Sequence, residues 1–589
     1  MHLRLHKPLV VLSTPHKSLI VLSVPVLNYS VNTTPAVSLA SSVSPSRGGQ
    51  GPGLMIIQRR VLWLIGCVCG ELPDELYGPL YEALLSLLER GVGASGGDLV
   101  VRLAAVSAFK ALVERWGFGL DKYTSQENIL GRYLTVLYAV LRDANEFDTR
   151  SQILTLISDL IERLGDKRVV SCIDVIVKPL PNLWESSRKQ NLLRSSILGI
   201  LRQIVEAVGA LPNVAPKLHS TIYPLIAYSI DTRHPESIYL SDDGLALWEA
   251  VLKATPIYVN ELHNLFSCAL PLLEFDLSRT KIIMSIMSCY ILIGGREFMK
   301  VSSNIIINCF KLVLENARSE CAIYIVQTMD LILQCYPKEA LLLLKEPIFL
   351  IINNIVETIR KSTVRNSNGG AANNNNIRNI RLHGRNRLLI GSLSFFARML
   401  LQTPTNYQEL LNNWNALQQQ TVNNNNNEKS NNNNNNTHGN YNNNNVNLHL
   451  LFLNQWICLF DQVGGGLNGP WRRKLWSLAL TMLWSIGDQD ALKRGTEVIN
   501  IFMGSISSSN SGSEFYLPSM DDDHSGLSLE AKRKIQVLTT DVVHSIDIKN
   551  AVTEAMNKCA TTLGVENFNR FVTQNIDGSL FGELKQTLA

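Results

Sequence analysis

Little in this chain points to chemistry. Neither glycine-rich stretch, Gly91–Gly97 or Gly464–Gly469, is followed by Lys-Ser or Lys-Thr. No strand pattern precedes them, which excludes a phosphate-cradling loop. Gly93-Ala-Ser-Gly-Gly97 matches Gly-x-Ser-x-Gly, but no strand pattern precedes it, so it is not read as the strand–turn–helix nucleophile elbow of a serine hydrolase. Eleven histidines are scattered, and the helical region contains no His-x-x-x-His pair. The ten cysteines are mostly single and sit in apolar surroundings, so they form no disulfide framework and fit buried thiols of a reducing compartment. The one close pair, Cys67-Val68-Cys69, has no second pair or nearby histidine to complete a four-ligand zinc site. No catalytic, cofactor-binding or metal-ligating residue is assigned, and the chain is not expected to be an enzyme.

Charge is also scarce. Asp, Glu, Lys and Arg make up 18% of the 589 residues, against about a quarter in an ordinary globular chain. The net charge of +4 is unevenly placed: residues 1–60 hold six basic groups (Arg4, Lys7, Lys17, Arg47, Arg59, Arg60) and no acid. The remainder carries 48 basic groups against 50 acidic ones. A globally basic surface for nucleic acid is therefore not indicated. The longest membrane-like stretch, Ile282–Ile293, is interrupted by serines and falls short of the roughly 20 residues of a span. No membrane insertion is expected, and the chain reads as a soluble intracellular protein.

Residues 1–56 differ from the rest. A near-duplication, His6–Pro15 followed by His16–Pro25, leads into a Ser/Pro/Gly-rich run ending at Gly53. Acid-free, Ser-containing composition suggests a targeting segment, but prolines at 8, 15 and 25 break the helix such a signal needs. A disordered, unrelated leader is the expectation. The sequons at Asn28 and Asn32 carry no weight in an intracellular chain.

From about residue 57 one amphipathic helix follows another. Ile153, Leu156, Ile157, Leu160, Ile161 and Leu164 form a single helical stripe, and Ile197, Leu201, Ile204, Val205 and Val208 repeat it. Breakers at Gly165-Asp166, Pro179/Pro181, Gly209, Pro212, Pro235, Pro256, Gly294-Gly295 and Pro337 separate the segments. Second helices of successive pairs are expected to start near Asp98, Ser151, Gln190, Tyr239, Asp276 and Ser319, a mean spacing of about 44 residues. That falls within the roughly 40–47 of HEAT and armadillo repeats. Each pair has an apolar face too large to hide alone, so neighbours stack. The predicted fold is all-α, a right-handed HEAT-repeat α-solenoid with disordered Asn-rich insertions.

Those insertions hold runs at Asn373–Asn376, Asn423–Asn427, Asn431–Asn436 and Asn442–Asn445, which cannot bury enough apolar area to offset chain entropy. The expected organisation is a leader (1–56), a solenoid (57–361), an Asn-rich basic loop (362–386), a helical repeat (387–411), a disordered Asn-rich insertion (412–447), HEAT-like helices (448–503), an acidic, Ser-rich loop (504–527) and C-terminal helices (528–589).

Three further features bear on binding. Nine tryptophans, among them Trp63, Trp116, Trp184, Trp248, Trp476 and Trp484, lie on helical stripes. They either pack helices, the commoner outcome, or line a groove for a basic peptide. The acid-free basic stretch Arg360, Lys361, Arg365, Arg378, Arg381, Arg385, Arg387 has no interleaved aromatics before Phe395, so it reads as a solvated edge rather than an RNA site. Asp242-Asp243 is expected in the first turn of a helix, where the dipole favours acids.

Particular residues resemble a known family. Asp98-Leu-Val-Val101-Arg102-Leu-Ala-Ala is similar to the second-helix signature of a HEAT repeat, its Asp opening the helix and its Val-Arg pair bridging to the next repeat. Arg59-Arg60-Val-Leu-Trp63-Leu-Ile-Gly66 resembles a segment of importin-β-type nuclear transport receptors. Leu180-Pro-Asn-Leu-Trp184, Asn191-Leu-Leu-Arg194, Tyr239–Trp248, Arg472-Arg-Lys-Leu475, Lys532-Arg-Lys534 and Asp541-Val-Val-His544 resemble the importin-11 branch, in order, from residue 57 to Ala589. The resemblance implies a karyopherin that binds protein cargo and nuclear-pore Phe-Gly repeats and moves between nucleus and cytoplasm. It implies Ran-GTP as a regulator, but the N-terminal repeats that carry the family's main Ran-docking surface are absent from this sequence. The expectation is therefore impaired Ran-controlled release and an uncapped first helix pair, Met55–Glu89. The contrasting reading is a static HEAT-repeat scaffold subunit, such as one from a phosphatase or coat complex. Cargo and Ran contact residues are not assigned from the sequence.

Overall fold

A computed structural model describes residues 52–90, 98–115, 119, 128–164, 166–211, 215–316, 319–367, 385–431, 447–463, 469–510 and 527–588. Among these residues every regular element is helical. They divide into two units, one ending at Pro256 and the other beginning at Ile257. Residues 1–51 of the leader, Trp116, the Asn373–Asn376 run and the acidic Asp521–Asp523 lie outside the described residues, whereas residues 52–56, expected in the leader, already belong to the first helix.

The first unit contains α1 (Pro52–Val68), α2 (Asp74–Glu89), α3 (Leu99–Glu114), α4 (Ile129–Asp143), α5 (Phe147–Leu164), α6 (Asp166–Val177), α7 (Leu180–Ser186), α8 (Asn191–Val208), α9 (Ala215–Ile230) and α10 (Ser237–Ala254). They stack in two layers. One is built by α1, α3, α5, α8 and α10 in succession; α2, α4, α6 and α9 back them. The stripes explain the order. Ile153, Leu156, Ile157, Leu160 and Ile161 of α5 are all buried, as are Ile197, Leu201, Ile204, Val205 and Val208 of α8. Each stripe is too broad for one partner, so it packs against its pair-mate and the next repeat together. Asp98 opens α3 as predicted, its Oδ1 accepting from the Val100 N–H at 3.0 Å.

The second unit begins with α11 (Asn260–Phe266), α12 (Ala269–Phe275), α13 (Thr280–Asn316), α14 (Ser319–Cys335), α15 (Pro337–Ser367), α16 (Arg385–Gln402) and α17 (Pro404–Asn431). It continues through α18 (Leu448–Val463), α19 (Gly469–Ser485), α20 (Gln489–Lys493), α21 (Gly495–Asn510), α22 (Leu529–Thr539), α23 (Val542–Ser545), α24 (Ile548–Leu563), α25 (Val565–Asn575) and α26 (Gly578–Leu588). Here α13, α14, α16, α19 and α24 form the continuous layer. By length and hydropathy the Leu277–Asn316 stretch is apolar enough to cross a membrane. It is instead two core helices: Gly295, at φ +61°, breaks α13 in the middle, where a side chain would be strained. Ile283, Met287, Tyr290, Phe298 and Phe310 are buried on either side of the break.

Second helices start at Leu99, Phe147, Asn191, Ser237, Thr280 and Ser319. Their mean spacing, about 44 residues, lies in the HEAT range and well above the 34 of a tetratricopeptide pair. Boundaries moved more than helices did. The α15 backbone runs to Ser367 rather than 361, α21 to Asn510 rather than 503, and α17 stays helical to Asn431 although 412 onward was expected to be disordered. The reason for the last is visible at its start, where Tyr407, Leu410, Leu411 and Trp414 are buried and anchor the helix past residue 411.

Layers approach closely at Gly244 of α10. A Cβ there would lie 2.7 Å from Ser229 Cβ and 3.1 Å from Ile230 Cγ2 of α9. Gly244→Ala would stabilise an isolated helix by about 1 kcal/mol. Here it is expected to destabilise by about 1–3 kcal/mol, because neither neighbour can swing away. A lowered urea midpoint at unchanged m-value checks this.

Candidate interaction surfaces

The residues singled out by the sequence are joints and surfaces, and the joints come first. Arg102 in α3 is 3% exposed and donates from Nη1 to Asp143 Oδ2, at the end of α4, at 2.8 Å. Arg150 donates to Gln190 Oε1 at 3.1 Å, and Arg194 to Glu236 Oε2 at 2.6 Å. Each arginine reaches an acceptor about one repeat further along, so the Val-Arg bridge expected at Arg102 recurs. At Arg194 the joint is elaborated. Its guanidinium lies 4.6 Å above the Trp184 ring and 5.3 Å from that of Tyr228, whose hydroxyl donates to the same Glu236 carboxylate at 2.5 Å. The bond to Glu236 raises the Tyr228 pKa. Two segments that resemble the importin-11 branch, ending at Trp184 and at Arg194, thus meet in one packed cluster with Tyr228 and Glu236.

Several sequence-level candidates take other places. Trp63 is 65% exposed, so the packing expectation is overturned there: Ile56, Trp63 and Cys67 fall on the solvent side of α1, while Leu62 and Ile65 face α3. Trp184, Trp248, Trp476 and Trp484 pack as expected. Asp242 and Asp243 are not in a first turn, since α10 already starts at Ser237. Glu236 holds the N-cap position, and its carboxylate is bonded to Arg194 rather than to the helix's own amides. Asp243 is bonded instead to the Ser195 hydroxyl of α8. The thiol of Cys69 is bonded to the carbonyls of Gly66 and Ala111 at 3.5 Å, and burial pushes its pKa up, as befits a packing thiol. Among the described residues no group of three His, Cys, Asp or Glu is placed to hold a metal ion. Of the basic stretch, Arg387 is exposed, and the other members' side chains lie outside the described residues.

Two features were missed by the sequence reading. The first is Arg398, fully buried in the apolar run of α16. Its Nε donates to Asp330 Oδ1 of α14 at 2.8 Å and its Nη1 to Asp541 Oδ1 at 2.5 Å, across 143 residues of chain. Burial alone would lower the Arg398 pKa, but the two carboxylates outweigh it and raise it. The detectable signal was an arginine inside Leu388–Leu401, a stretch otherwise almost free of charge. The second is a groove of about 340 Å³ between the second half of α13 and the α14–α15 corner. Met299, Ile307, Ile332, Ala340 and Leu343 line it, and the Arg296–Glu339 pair, 3.3 Å apart, sits at its rim. Beside it Leu342 is 88% exposed. Tyr336 closes one end, its hydroxyl donating to the Ile291 carbonyl at 3.1 Å; burial pushes its pKa up to about 12. The groove is apolar, open and rimmed by charge, a geometry suited to an isolated aromatic side chain of a flexible peptide rather than to catalysis.

Comparisons with known proteins place the chain beside nuclear transport receptors. A family model described as importin-11-like, TPR repeats, matches residues 195–589. Importin-11 of Homo sapiens is 24% identical over 546 residues, covering 90% of this chain and 49% of its own length. The importin beta-like protein kap113 of Schizosaccharomyces pombe is 23% identical, covering 89% and 48%. The chain thus spans about half the length of these curated relatives. Among solved structures, that of Lph2, described as a bidirectional nuclear transport receptor in S. cerevisiae, superposes with a TM-score of 0.69 at 18% identity, covering 98% of this chain and 54% of the other.

Proposed function

The chain belongs to the importin-11-like family, and on that premise we propose that it is a nuclear transport receptor carrying protein cargo between cytoplasm and nucleus, in the import direction. The observation that supports this most is the match over residues 195–589, two thirds of the chain, to that family. Glu236 and Trp248 lie within that match and Arg194 immediately before it; the Arg194–Glu236 pair and the buried Trp248 indole tie the stacked helix pairs together. A stack of helix pairs presents an extended surface, which suits gripping a folded protein without chemistry. The partners of this reading are protein cargo, Phe-Gly repeats of the pore and Ran-GTP. Its location is nucleus and cytoplasm, with enrichment at the nuclear envelope.

The groove lined by Met299, Ile307 and Leu343 is the proposed seat for a Phe-Gly side chain. The purified chain should retain immobilised Phe-Gly repeat peptides, and Leu343→Glu should weaken that retention about tenfold, some 1.4 kcal/mol. Leu343 is only half-buried, so this change should leave the helix content intact. No retention by a folded wild-type chain would favour the scaffold reading instead.

A further inference from the structure

A second cavity, of about 260 Å³, opens in the second unit where the start of α19, the last turns of α21 and the turn from α23 into α24 converge. Its apolar side is made by the half-buried Trp471 and Ile546 and by the fully buried Val543. Its polar side carries Lys474 of α19, His544 of α23 and Asp547, the residue that opens α24. None of these residues lines the apolar groove beside α13.

The charges around this cavity do not balance. Arg472, Arg473 and Lys474 follow one another in α19, which has no acid in its first turn. Arg472 is within electrostatic reach of Asp330, and Arg473 donates from Nη2 to the Asp461 carbonyl at 3.2 Å. Lys474, half-buried in the cavity wall, meets no acceptor among the described residues. The one carboxylate of the wall is already engaged. Asp547 Oδ1 accepts from the Asn550 N–H at 2.8 Å, where the first amides of α24 offset its charge. Beneath the apolar side the buried ions are matched, Arg398 and Arg472 against Asp330 and Asp541. An excess of positive charge is left at Lys474 and, when protonated, at His544.

The hydroxyls of the wall have spent their protons inside the protein. Ser508 donates to the Gly504 carbonyl at 2.7 Å and Ser545 to the Val542 carbonyl at 3.1 Å, while Ser505 is bonded to Ser477. Lys474 and His544 are therefore the donors that a ligand meets. A divalent cation does not suit a wall with one engaged carboxylate and an ammonium group. An anion does, and the Trp471 ring beside it favours one carried on an aromatic stem.

We propose that this cavity binds a phosphate monoester on an aromatic stem, with its oxygens held by Lys474 and His544 and its ring against Trp471 and Ile546. Such an ester carries about 1.5–2 negative charges near neutral pH and three acceptor oxygens, so α19 and α23 can hold it together; a carboxylate offers less charge and fewer oxygens. A phosphorylated tyrosine of a partner protein and a small soluble ester share this chemistry. Occupancy also stabilises the second unit, as any ligand of the folded state alone does. Two of the walls rest on the buried ion pair: Arg398 lies 5.0 Å from the Trp471 ring, and the Val543 N–H donates to Asp541 at 3.2 Å.

The test titrates the full chain with phenyl phosphate by calorimetry, with inorganic phosphate, benzoate and benzylamine as controls. Phenyl phosphate should bind about tenfold or more tightly than each control. Lys474→Gln should weaken it about tenfold and His544→Gln by a smaller factor. Lys493→Gln, which removes an exposed charge from α20, should leave it unchanged. His544 is exposed, so His544→Gln keeps the fold and decides the matter if Lys474→Gln does not fold. A short peptide with a central phosphotyrosine separates the sources. Binding at least as tight as phenyl phosphate assigns the site to a phosphorylated partner; exclusion of the peptide while phenyl phosphate still binds assigns it to a soluble ester. The proposal is overturned by a folded wild-type chain that does not bind phenyl phosphate, by benzoate or inorganic phosphate binding equally well, or by unchanged affinity in the folded Lys474 and His544 variants.

Discussion

Arg398→Leu is expected to lower the stability of the second unit by about 3–5 kcal/mol, the usual consequence of removing one partner from a buried ionic cluster. The substitution keeps an apolar side chain of similar length in α16 but strands two carboxylates. Asp541 is fully buried, and Asp330 is 18% exposed. Neither can be left charged without its cation at small cost. The Arg398 guanidinium also lies 5.0 Å from the Trp471 ring, so a stacked contact goes with the charge. The decisive comparison is the triple replacement of Arg398, Asp330 and Asp541 by apolar residues. It should recover most of the loss, because Arg398 Nη2 and Asp541 Oδ2 find no hydrogen-bond partner among the described residues and the native cluster is already imperfectly satisfied. Urea unfolding, followed by tryptophan fluorescence, checks both variants. A single-mutant loss under 1 kcal/mol would show that the cluster is not a clamp.

Trp476→Ala is expected to cost a further 3–5 kcal/mol when made alone in the wild-type chain, through the cavity it leaves. Trp456 and Trp476 approach α16 from two neighbouring helices and bond to consecutive residues. The Trp456 Nε1–H donates to the Leu393 carbonyl at 3.1 Å, and the Trp476 Nε1–H to Ser394 Oγ at 3.0 Å. Both indoles are fully buried. Trp476→Phe fills most of the space and deletes the donor, and should cost about 1 kcal/mol, the net worth of one hydrogen bond. Ser394 Oγ keeps its own bond to the Ile390 carbonyl at 2.8 Å, so its hydroxyl proton stays satisfied. Near-equal effects of Ala and Phe would show that the hydrogen bond, not the volume, dominates.

The helix-pair layout was legible in the chain because burial writes itself into the 3.6-residue period. The α5 and α8 stripes are one-sided runs of Ile, Leu and Val, and from Ile153 to Ile161 and from Ile197 to Val208 their members are all buried. Asp98 was legible for the same local reason: an N-cap serves amides two or three residues away. Arg102 and Arg194 were legible through resemblance, and their partners lie about one repeat further on, at Asp143 and Glu236.

Where contact partners are distant, the residues alone misled. Trp63 sits in an apolar stretch, yet the face that α1 turns to α3 is the one carrying Leu62 and Ile65. Asp242-Asp243 suggested a helix start, but the cap position was taken by Glu236, drawn to an arginine 42 residues earlier. Arg398 stood alone in the apolar run Leu388–Leu401, past the basic stretch that ends at Arg387, and it is among the most deeply buried side chains of the described residues.

Residues within a turn or two of one another therefore determined the helices, their caps and their spacing, since backbone hydrogen bonds and an apolar stripe are settled locally. Tertiary structure decided which face each helix buries, where the apolar groove opens beside the Gly295 break, and that α22 packs over α13. Those outcomes depend on groups about 40 to 240 residues apart, and the free energy of bringing a charge or an indole to its distant partner has no period in the sequence to reveal it.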